Sequence, residues 1–209
     1  MSSHHIVRDE QEPALILHRL EGFLEPNLHS LLEWSPTVIS CEPAIEKFTS
    51  LGHKLDVALI GLGNFEYYRS LLSEQLPVKL IAVHNQDFLM TAMTILQKEN
   101  YKAVNVVTQE EGVFEVTQLI EQWLTSLDIV IYTEKQRILF VKAKTFKKWL
   151  PANSKLIGQS MGELVSWTTS GFEEEFNNQE SYDLELVKKQ EGEVTISCSQ
   201  SPFLVIEEL

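Results

Sequence analysis

The chain has 209 residues, 44% of them hydrophobic, which is enough to bury a substantial core and excludes disorder of the chain as a whole. Seventeen basic residues against thirty acidic ones give a formal net charge of -13, a surface that repels polyanions, so nucleic acid is not an expected partner. No apolar segment reaches the roughly 20 residues of a membrane span, and the opening MSSHHIVRDEQEP lacks the apolar centre of a secretory signal, so no membrane association is expected and the expected compartment is the cytoplasm.

His4 and His5 read as solvated histidines rather than metal ligands, because no clustered donor set accompanies them. From Pro13 to about Tyr132 one pattern then repeats: a short β-branched or leucine-rich run followed by a segment of helical period. The predicted strands are ALIL, TVISC, VALIG, KLIAV, AVNVV and DIVIY. Between them LEPNLHSLLEW, PAIEKFTSLG, FEYYRSLLSEQL, QDFLMTAMTILQKEN and FEVTQLIEQWLTS carry apolar residues three or four apart. That alternation predicts an α/β domain, Rossmann-like, with a mainly parallel sheet flanked by helices. Gly52 stands where a helix C-terminal cap belongs, Pro77 breaks the chain before the fourth strand, and Asn85 is placed to cap the long periodic run after it.

After about Glu134 the runs shorten and alternate: RILFVKA, SKLIGQS, ELVSWTTS, SYDLELVKK, GEVTISCS and FLVIEEL predict a small C-terminal antiparallel β-sandwich. The expected domains are therefore residues 1–134 and 135–209. FEEEFNNQE and KKQEGE read as turns or strand edges with solvated charge. Cys41 and Cys198 are the only thiols, too few for a zinc set, and are expected to be buried and reduced.

The stretch DVALIGLGNFEYY has the look of a nucleotide loop, a buried strand leading into Gly61-Leu62-Gly63. As a dinucleotide fingerprint it fails at its third glycine, where Glu66 would set a carboxylate against a pyrophosphate. Turn glycines at a strand end are the simpler reading.

The order of an α/β domain and a small all-β domain, with the spacing of EWSPTVISCEPAIEKFTSLGHKLDVALIG and PVKLIAVHNQDFLMTAMTILQKENYKAVNVV, resembles the thiamine pyrophosphokinase family over nearly the whole chain. The resemblance implies transfer of a pyrophosphoryl group from ATP to thiamine with magnesium, a homodimer, and a thiamine-like molecule or nucleotide as ligand. The family's acidic motifs are altered here. Glu42, Pro43 and Ala44 stand at Asp-Gly-Ala, and Ile60, Gly61, Leu62 and Gly63 at Gly-Asp-Phe-Asp. In the third motif Gln86 and Asp87 persist, while Asn85, Phe88, Leu89 and Met90 replace aspartate, lysine, threonine and aspartate. Glu111, Gly112 and Val113 fall around the Gly-Arg position, and Glu115 and Val116 stand for Asp-His. Phe172 to Phe176 replace Leu-x-Trp-x-Leu, with Trp167 nearby.

By that correspondence the residual catalytic and metal-binding candidates are Glu42 and Asp87, the ATP-contact candidates are Gly61, Gly63 and Gln86, and the thiamine-contact candidates are Trp167, Thr168 and Thr169. Phe88, Leu89, Met90 and Met93 read independently as the core face of a helix. Pyrophosphoryl transfer depends on neutralising spread negative charge, and one lost donor costs on the order of 3 kcal/mol, a hundredfold in rate. Two readings follow. The first is a catalytically impaired binding or assembly protein; the second is an enzyme of altered metal geometry using Glu42, Asp87 and Glu111 or Glu115. A third, weaker one is a nucleotide sensor that holds phosphate by the backbone N–H groups of Gly61 and Gly63.

Overall fold

The structure, a computed structural model, describes residues 12–75 and 77–209; His4 and His5 lie outside the described residues. The chain divides between Glu134 and Lys135 into two compact units.

In the first unit strands and helices alternate as β1 (Ala14–Leu17), α1 (Glu25–Leu32), β2 (Val38–Cys41), α2 (Glu42–Ser50), β3 (Val57–Gly61), α3 (Phe65–Leu71), β4 (Lys79–Val83), α4 (Phe88–Lys98), β5 (Ala103–Val107), α5 (Val113–Ile120) and β6 (Asp128–Tyr132). The strands lie in the order β6-β5-β1-β2-β3-β4, and each of these pairings is parallel, as the alternation predicts. All four residues of β1 are fully buried, because an inner parallel strand is covered on both faces and so is written as an unbroken apolar run. β4, beside β3 alone, is half-exposed. Ala44, Ile45 and Phe48 of α2 pack with Leu15, Leu17, Ala58 and Ile60 in one apolar cluster.

Asp56 ties the strand starts together. Its Oδ2 accepts from the Val38 N–H at 2.7 Å, and its carbonyl accepts from the Lys79 N–H at 2.8 Å. Gly52 follows α2 at φ +78, the left-handed cap position expected from its place, and its N–H donates to the Thr49 carbonyl. Asn85 does not cap α4, contrary to expectation. The cap position belongs to Asp87, while Asn85 and Gln86 sit at φ 53 and 59 in the turn that reverses the chain after β4.

The second unit is antiparallel. One sheet joins β12 (Asp183–Lys188), β9 (Ser154–Gln159), β14 (Phe203–Glu208) and β7 (Gln136–Val141). The other joins β11 (Gln179–Ser181), β10 (Val165–Ser170), β13 (Gly192–Cys198) and β8 (Thr145–Leu150). Side chains from both sheets, among them Leu150, Leu156, Trp167, Leu186, Ile196 and Val205, form one core cluster.

β8 and β11 are absent from the strands read in the sequence. β8, TFKKWL, turns Phe146, Lys148 and Leu150 to its less exposed side, and Lys148 is tolerated there because Glu207 on β14 accepts from its Nζ at 2.5 Å. Glu207, 6% exposed, also accepts from Arg137 Nε at 2.8 Å, so one buried carboxylate answers two cations. Lys188 in KKQEGE departs from the expected solvated state: it is buried and its Nζ donates to the Gly171 carbonyl at 2.5 Å. The acids Glu173, Glu174 and Glu175 are exposed as expected. Cys41 and Cys198 are buried free thiols, and burial pushes both thiol pKa values up.

Candidate functional site

The C-terminal ends of β3 and β4 border a cleft of about 350 Å³. Its β3 side is Gly61, Leu62, Gly63 and Asn64, and its β4 side is Val83, His84, Asn85 and Gln86, with Glu42 and Phe88 closing it from the first residues of α2 and α4. Such a position suits a ligand because strand ends leave loops, not sheet, to shape the surface.

Glu42 is the first residue of α2, and Pro43 follows where a helix has no use for an N–H. The Glu42 side chain turns into the cleft and is held by the protein's own donors. Its Oε2 accepts from the Gly61 N–H at 2.6 Å, and its Oε1 accepts from Asn64 Nδ2 at 2.6 Å. A Cβ on Gly61 would lie 3.1 Å from Oε2, so glycine permits this close approach. One turn further along α2, Glu46 Oε1 accepts from the hydroxyls of Tyr67 and Tyr68 at 3.3 and 3.4 Å. Burial, then the Glu46 charge, pushes the Tyr68 hydroxyl up to about 12. α2 thus grips α3 at two points.

On the β4 side, Asp87 N–H donates to the His84 carbonyl at 3.2 Å and Phe88 N–H to the Gln86 carbonyl at 2.7 Å. Asparagine accepts the left-handed conformation readily, whereas at Gln86 it costs about 1–2 kcal/mol. Phe88, Leu89 and Met93 are buried along α4, which is the helix-core reading of those residues. Met90 is half-buried, and its sulfur lies 3.7 Å from Gln122 Nε2.

Of the sequence-derived candidates, the cleft brings together Glu42, Gly61, Gly63 and Gln86. Asp87 is exposed at the cap of α4 and does not line it. Glu111 and Glu115 are exposed and also lie outside the lining. Among the described residues no three of His, Cys, Asp or Glu come together in an arrangement that could hold a metal. His84 and Asn64 were missed by sequence reasoning. Their signal is positional, since each lies just beyond the end of a parallel strand.

In the second unit the candidates for thiamine contact are committed elsewhere. Trp167 is fully buried, donates from Nε1 to the Ser181 carbonyl at 3.1 Å and meets Phe203 edge-on with ring centroids 5.5 Å apart. It is a core tryptophan, and the expectation that it offers a ring to a ligand is corrected on that ground. Thr169 is buried, its Oγ1 accepting from the Phe176 N–H at 3.0 Å. Thr168 is exposed and its Oγ1 accepts from the Asn178 N–H at 3.3 Å.

No protein-family model matches this sequence, and no curated protein matches it. Solved structures do. Thiamine pyrophosphokinase from Geobacillus thermodenitrificans is 13% identical, with a TM-score of 0.76 over 94% of this chain and 96% of that one. Thiamine pyrophosphokinase from Bacillus subtilis is 11% identical, with a TM-score of 0.76 over 93% and 97%. The yeast enzyme is 11% identical, with a TM-score of 0.73 over 98% and 88%. This chain has the thiamine pyrophosphokinase fold. The likeness spans both units.

A thiamine pyrophosphokinase fold implies magnesium and ATP, and the residues at the cleft do not fit a metal-bound triphosphate. Among the described residues its lining holds one carboxylate, Glu42, with both oxygens already hydrogen-bonded, and includes no lysine or arginine. Magnesium takes near-octahedral oxygen coordination, and a transferring phosphoryl group needs cations or aimed donors around it. The cleft offers three carboxamides, an imidazole, and the apolar Leu62, Val83 and Phe88.

Proposed function

We propose that this protein is a thiamine pyrophosphokinase-like chain that has lost pyrophosphoryl transfer and acts by binding or assembly. The reading rests chiefly on Glu42, the only carboxylate among the described residues that line the cleft, spending both oxygens on the chain's own donors. Without a metal anchor, lysine or arginine among the described lining residues, no group of that lining neutralises the charge that spreads over a transferring phosphate. The fold outlasts that loss because apolar patterning specifies the sheet independently of the carboxylates at its edge. A small polar molecule in the cleft, a homodimer, or a complex beside an active paralogue are the roles this reading allows, and a cytoplasmic setting goes with them.

One observation favours an alternative. Asp87 makes no side-chain cap hydrogen bond at α4 and is exposed, leaving its carboxylate uncommitted next to the cleft. An enzyme of altered metal geometry would use it with Glu42. Incubating the pure protein with thiamine, ATP and magnesium and measuring thiamine diphosphate decides between the two. The binding reading expects no product above background, and turnover at about 1 per second or faster, an ordinary enzymatic rate, refutes it.

A further inference from the structure

We propose that Glu42 sets the charge preference of the cleft: its carboxylate is a built-in occupant of the anion-holding donors at the end of β3, keeping phosphate out and leaving a recess for uncharged or positively charged polar molecules. The inference rests on the binding reading above and names the ligand class of that same site.

The donors are those of an oxyanion site. The Gly61 N–H and the Asn64 carboxamide converge on one carboxylate, each at 2.6 Å, short for an N–H donor, as bonds to a charged acceptor are. The occupant is supplied from the first residue of α2, where the helix dipole favours negative charge. A phosphate arriving at these donors has to displace Glu42 or sit beside it, and among the described residues of the lining no lysine or arginine offsets the repulsion. What stays open to a ligand is His84, Asn85 and Gln86 against the apolar Leu62 and Phe88. A volume of about 350 Å³ is that of a small-molecule site. A cationic ligand gains from the Glu42 charge across the recess, with the Gly61 and Asn64 hydrogen bonds left in place.

Glu42 is not needed to hold α3 in place. Glu46 anchors that helix separately through Tyr67 and Tyr68, so truncating Glu42 leaves Asn64 near its present position. The experiment uses the full chain and its Glu42→Ala and Glu42→Gln variants, with inorganic pyrophosphate as the probe in calorimetry. Wild type is expected to give no binding heat. Glu42→Ala is expected to give a saturable pyrophosphate isotherm at concentrations where wild type gives none, a gain of about tenfold or more over the tightest binding that the wild-type titration leaves undetected. Adding Asn64→Ala to that variant is expected to cancel the gain. Glu42→Gln keeps the side chain's size, removes its charge, and is expected to show a smaller gain; it decides the matter should Glu42→Ala fail to fold. Folded variants that gain nothing, or a wild type that binds pyrophosphate as tightly as they do, overturn the inference. Thiamine diphosphate formation by wild type would instead overturn the functional reading on which it rests.

Discussion

Putting an aspartate back at position 61, where the family motif has one, is expected to destabilise the protein for a specific electrostatic reason. Gly61 has φ -63 and ψ 142, a conformation open to any residue, so the backbone raises no objection. The added Cβ would stand 3.1 Å from Glu42 Oε2, at the far end of a flexible side chain that can give by a few tenths of an ångström. Gly61→Ala should therefore cost less than about 1 kcal/mol. Gly61→Asp adds a second negative charge about 4 Å from the first, a repulsion of about 4 kcal/mol at an effective dielectric constant of about 20. Glu42 escapes it by swinging into water, giving up the Gly61 and Asn64 hydrogen bonds. In this half-exposed position that loss is worth about 2 kcal/mol, and the cheaper route sets the outcome. Urea unfolding at neutral pH should place Gly61→Asp about 2 kcal/mol below Gly61→Ala. Equal stability of the two variants at neutral pH would mean that the Glu42 carboxylate does not sit at the Gly61 N–H.

Gly171→Ala should be among the most damaging single changes in the second unit. Gly171 has φ +82 and its Cβ would fall 2.4 Å from the Glu193 carbonyl oxygen, backbone that cannot step aside, so urea titration should show a loss of about 3 kcal/mol. Glu207→Ala removes the buried carboxylate that Arg137 and Lys148 share and should cost about 2–3 kcal/mol. Glu208→Ala, which breaks the exposed pair with Lys155, should change the unfolding free energy by no more than about 0.5 kcal/mol. Burial, then the neighbouring Arg19 charge, pushes the His18 imidazole down, against smaller upward pulls from Glu115 and Glu21. The neutral ring is the folded form, sharing a hydrogen bond with Thr108 Oγ1 at 3.0 Å. Its contribution is thus complete above its ordinary value of 6.5 and is lost as pH falls from there toward the folded value. His18→Gln should flatten that part of the stability profile, and an unchanged profile would contradict the assignment.

Most of the parallel sheet was legible because inner parallel strands are apolar on both faces, so ALIL and VALIG announce themselves without knowledge of what covers them. β8 was not legible. Its less exposed side carries Lys148, and only Glu207, far along the chain, makes that position acceptable. Lys188 hid for the same reason, its partner being the Gly171 carbonyl.

The site divides similarly. Glu42 and the two glycines could be found from their places at strand ends and in the family motifs. What Glu42 does could not, since it depends on Gly61 and Asn64 pointing donors at one place in space. For Trp167 the sequence leaves two readings open, a ring for a ligand or a core residue, because a tryptophan's environment is set by the facing strands; here Phe203 on β14 and Ser181 on β11 enclose it as core. Asn85 was read as a cap from its position before a helical pattern, yet the left-handed pair Asn85-Gln86 delays the helix to Phe88.

The claim that the cleft cannot steady a triphosphate is tested most directly by titrating magnesium and ATP together into the wild-type chain in a calorimeter. The account predicts no saturable heat. A magnesium-dependent isotherm with a dissociation constant below about 1 mM, within the range of working enzymes, would contradict it.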